Sequence, residues 1–209
     1  KNYRMHHLWE SIAAWPWLEI TGVFFSVLQV LYARKNNPVN YIFGIIGVAV
    51  TIYIFYGASL YAEAYLNLYY LVMSVYGLYI WQFKRKDERP VPISSATRKE
   101  LLGAAGIVVT AFVILYTVIS TYTDSLDVVW DATVAAFAWA GMWLMAKRKV
   151  ENWLVLNISN FIAVPLQIHK GLYLYAALTA FLFIVASVSY FEWRKMLQAE
   201  GPGSTKKPD

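Results

Sequence analysis

Seven apolar segments joined by short polar connections limit what this chain can fold into. They run over residues 17–33, 41–57, 61–83, 101–120, 128–146, 153–168 and 172–193. About 17–25 apolar residues suffice for a helix to cross the hydrocarbon of a bilayer, where a helix satisfies its own backbone hydrogen bonds. The pattern predicts an all-α integral membrane protein with seven transmembrane helices. Segments two and six are near the lower length limit, so they must stand almost upright, thin the bilayer locally, or be broken. Of 209 residues, 59% are hydrophobic and only 15% charged, against roughly a quarter charged in soluble domains. The net charge of +5 does not point to nucleic acid, because the basic residues lie almost wholly in the connections.

Their placement sets an orientation. The connections 34–40, 84–100 and 147–152, with the C-terminal tail, carry fifteen of the eighteen Lys and Arg; the other side carries Lys1, Arg4 and Lys170. The positive-inside rule then puts the N-terminus outside and the C-terminus in the cytoplasm. Residues 1–16 read as an interfacial helix, with Leu8, Ile12 and Trp15 on one face and Trp9, Trp15 and Trp17 at headgroup level. No cleavable signal peptide is visible in them. Residues 196–209 read as a disordered tail, rich in Gly, Pro, Ser and Lys beyond Ala199. The chain has no cysteine, which excludes disulfides, thiolate metal sites and thiol nucleophiles.

The chain also repeats itself. A gapless shift of 112 residues (131 − 19) lays Glu19 on Asp131, Thr21 on Thr133, Lys35 on Lys147, Asn40 on Asn152, Tyr41 on Trp153, Leu60-Tyr61 on Leu172-Tyr173, and Trp81 on Trp193. Three segments repeat, and segment four separates the copies. Four crossings is an even number, so both copies enter the membrane with the same orientation: a parallel 3+1+3 repeat, one way to build a pseudo-twofold solute site at the bilayer midplane. Residues 17–83 and 121–195 are then the two three-helix bundles, 84–100 a cytoplasmic loop, and 101–120 a lipid-facing linker helix.

Polar side chains in hydrocarbon normally face the bundle interior and mark a pathway. Segment three carries Glu63, Asn67, Tyr70, Ser74, Gly77 and Trp81 at helical spacing. The stripe reads either as a pathway or as helix contact, with Ser74 and Gly77 allowing close approach. Segment six carries Asn157, Asn160 and Gln167 on one face, with Pro165 freeing an i−4 carbonyl; the two asparagines suit substrate contact or an interhelical hydrogen-bonded pair. Gln29 lies deep in segment one. Trp139 and Trp143 share a face of segment five and, with Trp130, offer an aromatic wall. Trp81, Trp153 and Trp193, at segment ends, read as interfacial anchors. Glu19 and Asp131 read as solvated acids or as a pair drawing cations to the outer mouth. Aromatic faces beside a few carboxylates and amides suit a flat, cationic, hydroxylated solute.

Other chemistries find no support. His6, His7 and His169 have no ligand spacing for a metal, and no phosphate loop or nucleophile-and-base pair is present. The reading is therefore of a non-enzyme with neither metal nor cofactor. A retinal photoreceptor needs a lysine mid-span in its last helix, and Lys170 and Lys195 only flank it.

Asn40 and Gly44 in the pattern N-x-x-x-G, the run Leu60-Tyr61-Ala62-Glu63 leading to Tyr76-Gly77 and Trp81, then Ala146-Lys147, Glu151-Asn152-Trp153, Lys170-Gly171-Leu172-Tyr173 and Trp193 together resemble the Pnu family of bacterial vitamin transporters. The resemblance covers about Glu19 to Trp193. It implies a SWEET-like fold, a homotrimer, and facilitated diffusion of nicotinamide riboside or, second, thiamine, with accumulation driven by a cytoplasmic vitamin kinase. One position departs: riboside carriers of this family show a second Trp three residues after the one matching Trp153, and here it is Leu156.

The expectation is a bacterial inner-membrane vitamin uniporter working by alternating access. Asn67, Asn157 and Asn160 would supply polar contacts, Gln29 one hydroxyl contact, Tyr70 and Trp143 ring contacts, and Glu63 a counter-charge. Pro165 with Gly44, Gly47 and Gly77 would absorb the motion. The rivals are a proton-coupled carrier using Glu63 and a membrane receptor that moves no solute.

Overall fold

The computed structural model describes residues 16–57, 61–82, 92–122, 125–171 and 173–199. Among these, seven helices follow one another: α1 (Pro16–Arg34), α2 (Val39–Gly57), α3 (Tyr61–Gln82), α4 (Arg98–Tyr122), α5 (Val128–Ala146), α6 (Asn152–His169) and α7 (Tyr173–Ala199). Each falls on one predicted segment. By length and apolarity alone, α4, α5 and residues 175–199 of α7 qualify as membrane spans, and α1 and α2 contain shorter apolar stretches. The interfacial helix expected over 1–16 falls outside the described residues, apart from Pro16. The expected tail is corrected at its start: 196–199 continue α7, where Met196 and Leu197 pack against the core. Apolar contact there holds the helix together past the last predicted anchor.

Local chemistry explains the ends. Pro16 opens α1, where its missing N–H costs nothing. The α1–α2 and α5–α6 turns are short, and each contains one left-handed residue, Asn36 (φ 53°) and Arg148 (φ 56°), which are 112 positions apart. In both turns a following asparagine reaches back: Asn40 Nδ2 donates to Asn37 O at 2.8 Å, and Asn152 Nδ2 to Lys149 O at 2.5 Å. Each asparagine thereby clamps its turn. At the start of α4, Thr97 and Glu100 form a reciprocal capping box, Glu100 N to Thr97 Oγ1 at 3.3 Å and Thr97 N to Glu100 Oε2 at 2.9 Å.

Six helices close into a ring. α1 packs on α2, α2 on α3, α3 on α5, α5 on α6, α6 on α7, and α7 returns to α1. α4 lies outside the ring, against α5 and more lightly against α3. It buries Ala104, Ala111, Leu115 and Ile119 along one face and leaves Leu102, Val109 and Val113 exposed, as a lipid-facing helix does.

Within the ring the 112-residue offset recurs as paired contacts. In α1/α2 a Cβ on Gly44 would meet the Gln29 side chain, at 2.8 Å from Nε2; in α5/α6 a Cβ on Gly141 would meet Leu156, at 2.6 Å from Cγ. Gln29 corresponds to Gly141 and Gly44 to Leu156, so the same close approach is made with knob and hole exchanged. Likewise Gly47 lies 4.0 Å from Gly22 O, measured from an added Cβ, and its counterpart Ser159 donates to Val134 O at 2.7 Å.

Candidate functional site

One end of the ring carries the basic connections and is called the basic end below. It is closed by aromatic rings. Tyr41 meets Trp81 edge-on (5.1 Å, 86°), Trp153 meets Trp193 the same way (5.5 Å, 89°), and Trp81 and Trp193 face each other at 6.0 Å. All four are buried, with exposures of 2% or less. Trp81 Nε1 donates to Ala146 O at 3.1 Å and Trp193 Nε1 to Arg34 O at 3.0 Å. Arg34 and Ala146 are themselves repeat-related, so each half's third helix ties to the last carbonyl of the other half's first helix. The reading of Trp81, Trp153 and Trp193 as interfacial anchors is therefore corrected. An anchor shows its ring to headgroups, whereas these rings are enclosed and two of their N–H groups are satisfied by protein.

Above this floor lies a polar chain between α6 and α7. Asn157 Nδ2 donates to Ser187 Oγ at 2.9 Å, Asn160 Nδ2 to Asn157 Oδ1 at 3.4 Å, and Ser187 Oγ to Phe183 O at 2.9 Å. Ser187 sits six residues before Trp193, ~9 Å up the helix at 1.5 Å per residue. On α3, Tyr70 lies ~16 Å and Asn67 ~21 Å above Trp81 by the same measure. Both are half-buried, and Tyr70 meets Tyr69 edge-on at 6.1 Å. By this measure the candidates lie at different heights above the floor rather than in a single layer. Between them and the floor, Ser74 is fully buried, with no hydrogen-bond partner for its hydroxyl among the described residues.

Gln29 and the three tryptophans of the expected aromatic wall lie in other surroundings. Gln29 is wedged against α2 over Gly44. Trp143 lies against Gly103 of α4, with Lys147 Nζ 4.1 Å from its ring centroid. Trp139 stacks on Tyr69 (4.1 Å, 14°), and Trp130 lines a groove of about 470 Å³ with Phe161 and Pro165. The expected aromatic wall is therefore dispersed over three surroundings. Pro165 and Phe161 are exposed beside that groove. Gly47 admits Phe25 and Gly77 admits the Tyr41 ring, so in this state these glycines are points of close approach. The side chains of Glu63 and Glu19 fall outside the described residues. Asp131 is tied down: Lys170 Nζ reaches both its oxygens at 2.6 Å, and Ser125 Oγ donates at 2.6 Å. Among the described residues no His, Asp and Glu group could hold a metal.

Residues 16–195 match the family described as nicotinamide mononucleotide transporter. The chain belongs to that family. It is 26% identical over 182 residues to the nicotinamide riboside transporter PnuC of Escherichia coli (strain K12), covering 75% of this chain and 76% of that one, and equally to PnuC of Shigella flexneri. Its fold is that of a crystal structure of the vitamin B3 transporter PnuC, with TM-score 0.71 and 18% identity over 94% of this chain and 90% of the other. The chain is thus a multi-pass membrane protein of a transporter family.

Residue-by-residue reading missed Ser187 and an ion pair between α1 and α7, Arg34 to Glu192 at 2.5 Å. Ser187 had no signal of its own, since an isolated serine is common in apolar helices. Leu156 packs over Gly141 between α5 and α6, so the departure from the riboside pattern falls in a helix–helix contact.

Proposed function

We propose that this protein carries nicotinamide riboside across the bacterial inner membrane by facilitated diffusion. The family match over 16–195 and the riboside named for the relatives support this reading, and the observation that carries it is the lack of cations in the spans. No Lys or Arg occurs in segments 17–33, 41–57, 61–82, 128–146, 153–168 or 173–193. A mononucleotide brings a phosphate dianion, whose entry into low dielectric needs a positive partner. The riboside is a flat monocation whose hydroxyls and amide match Asn groups that both donate and accept. Asn67, Asn157 and Asn160 are its polar contacts in this reading, Tyr70 a ring contact, and Glu63 the counter-charge. Gln29 and Trp143 are reached only after the ring rearranges.

The ring supports a parallel 3+1+3, SWEET-like arrangement in which α1–α3 and α5–α7 are the two moving bundles and α4 the linker. Pro165, Gly44, Gly47 and Gly77 take up the strain between them. The basic end faces the cytoplasm, the N-terminus lies outside, and three copies assemble. A cytoplasmic kinase traps the vitamin by phosphorylation.

Calorimetric titration of the purified protein with nicotinamide riboside, nicotinamide mononucleotide and thiamine tests this. Binding of the riboside alone is expected. Thiamine binding without riboside binding would move the chain to a different vitamin with the same fold.

A further inference from the structure

We propose that the two repeat-related seams of the ring have different jobs: α3/α5 is the hinge, and α1/α7, fastened at Arg34, is the gate at the basic end. The inference rests on the transporter reading and goes beyond it, because the repeat by itself makes the two seams equivalent.

The α3/α5 seam is joined at several levels. Tyr69 stacks on Trp139 and donates its hydroxyl to Trp139 O at 2.9 Å. Nearer the basic end, Trp81 Nε1 bonds Ala146 O, and the Arg148 guanidinium, in a residue only 3% exposed, lies 4.3 Å from the Trp81 ring centroid. The segment leading into α4 then clamps the α5–α6 turn: Ser94 N donates to Arg148 O and Val150 N to Ser94 O, both at 3.1 Å, and Lys149 Nζ to Ser94 Oγ at 3.0 Å. Ile93 of that segment is buried in the same core as Trp81 and Trp153. Outside, α4 packs on both α5 and α3.

At the α1/α7 seam the repeat changes the chemistry. Tyr69 and Trp139 become Phe181 and Val27, which carry no side-chain donor to cross the seam. Ile80 and Ala146 become Glu192 and Arg34, and these form a two-pronged pair, Nε to Oε2 at 2.6 Å and Nη2 to Oε1 at 2.5 Å. Trp193 Nε1 ends on Arg34 O, so one residue of α1 takes both fastenings. The Arg34 and Glu192 side chains are 35% and 34% exposed, so water can replace their partners as the seam parts. Opening α3/α5 would instead uncover a buried guanidinium and break enclosed hydrogen bonds, which water repays poorly.

The absence of cysteine in the chain makes a sided test clean. Two double variants of the full chain, Arg34→Cys/Glu192→Cys across α1/α7 and the repeat-related Ala146→Cys/Ile80→Cys across α3/α5, are reconstituted in liposomes and bridged with a short reducible bis-methanethiosulfonate linker. Uptake of labelled nicotinamide riboside is read before bridging, after it, and after reduction. Bridging α1/α7 is expected to cut uptake about tenfold or more, reversibly, while the Ile80/Ala146 bridge leaves at least about half, as expected when only one seam must open. Uptake surviving the first bridge, or lost with both, overturns the assignment. No uptake in unbridged protein counts against the substrate reading rather than the gate. A second arm then decides without any substrate: Ala186→Cys is probed from the basic face with an impermeant thiol reagent, with and without Arg34→Gln. Faster labelling from that face and slower labelling from the other supports the gate; equal labelling, or faster labelling from both faces, overturns it.

Discussion

At the residue scale, the fold turns on a few places where a missing side chain admits another. Gly77 lies under the enclosed Tyr41 ring, which has nowhere to retreat, so Gly77→Ala is expected to destabilise the protein by about 1–3 kcal/mol. Gly106 of α4 has nothing within 4 Å of an added Cβ. There the same change is expected to be neutral or to stabilise by up to ~1 kcal/mol through helix propensity. Thermal unfolding in detergent separates the two, and equal effects would mean that Gly77 is not a contact. Asn157 sits between Ser187 and Asn160. If it also meets substrate, Asn157→Ala should weaken riboside binding by at least about tenfold, roughly 1.4 kcal/mol. Ser187→Ala, which leaves the Asn157 amide in place, should cost less. Equal small losses in calorimetry would reduce Asn157 to an interhelical pair, worth about 0.6–2 kcal/mol.

At the element scale, the helices were legible because hydrocarbon tolerates few alternatives. The apolar segments located each of the seven helices among the described residues, with α6 reaching His169 and α7 reaching Ala199. Less legible was which face of each helix meets which neighbour. Trp139 and Trp143 share a face of α5 in sequence, yet one meets α3 and the other α4, because α4 lies across that face. Trp81, Trp153 and Trp193 have the spelling of anchors and the surroundings of a core, and only tertiary packing distinguishes these. The offset of 112 residues that relates Trp81 to Trp193 and Tyr41 to Trp153 was the available signal, since repeat-related anchors on one side of a membrane also sit where two halves can meet. The clamp on the α5–α6 turn adds its own test. Ser94→Ala removes the hydroxyl that Lys149 reaches and keeps both backbone bonds, so a loss of at most about 1 kcal/mol is expected. Ser94→Pro, which removes the N–H given to Arg148 O, should cost more, and thermal unfolding of both variants checks the order.

At the scale of the whole molecule, six helices form a ring whose basic end is shut by aromatic rings and whose seams differ in chemistry. If the basic end faces the cytoplasm, as proposed, Lys35→Cys labels only from the cytoplasmic face of cells and Lys170→Cys only from the other. Reversed labelling would invert the orientation. The central claim, riboside transport without ion coupling, is met most directly by labelled nicotinamide riboside entering liposomes that contain only this protein, with and without an imposed proton gradient. The expected result is saturable entry that stops at equal concentrations inside and out and does not respond to the gradient. Entry no faster than into empty liposomes, or accumulation driven by protons, would contradict the account.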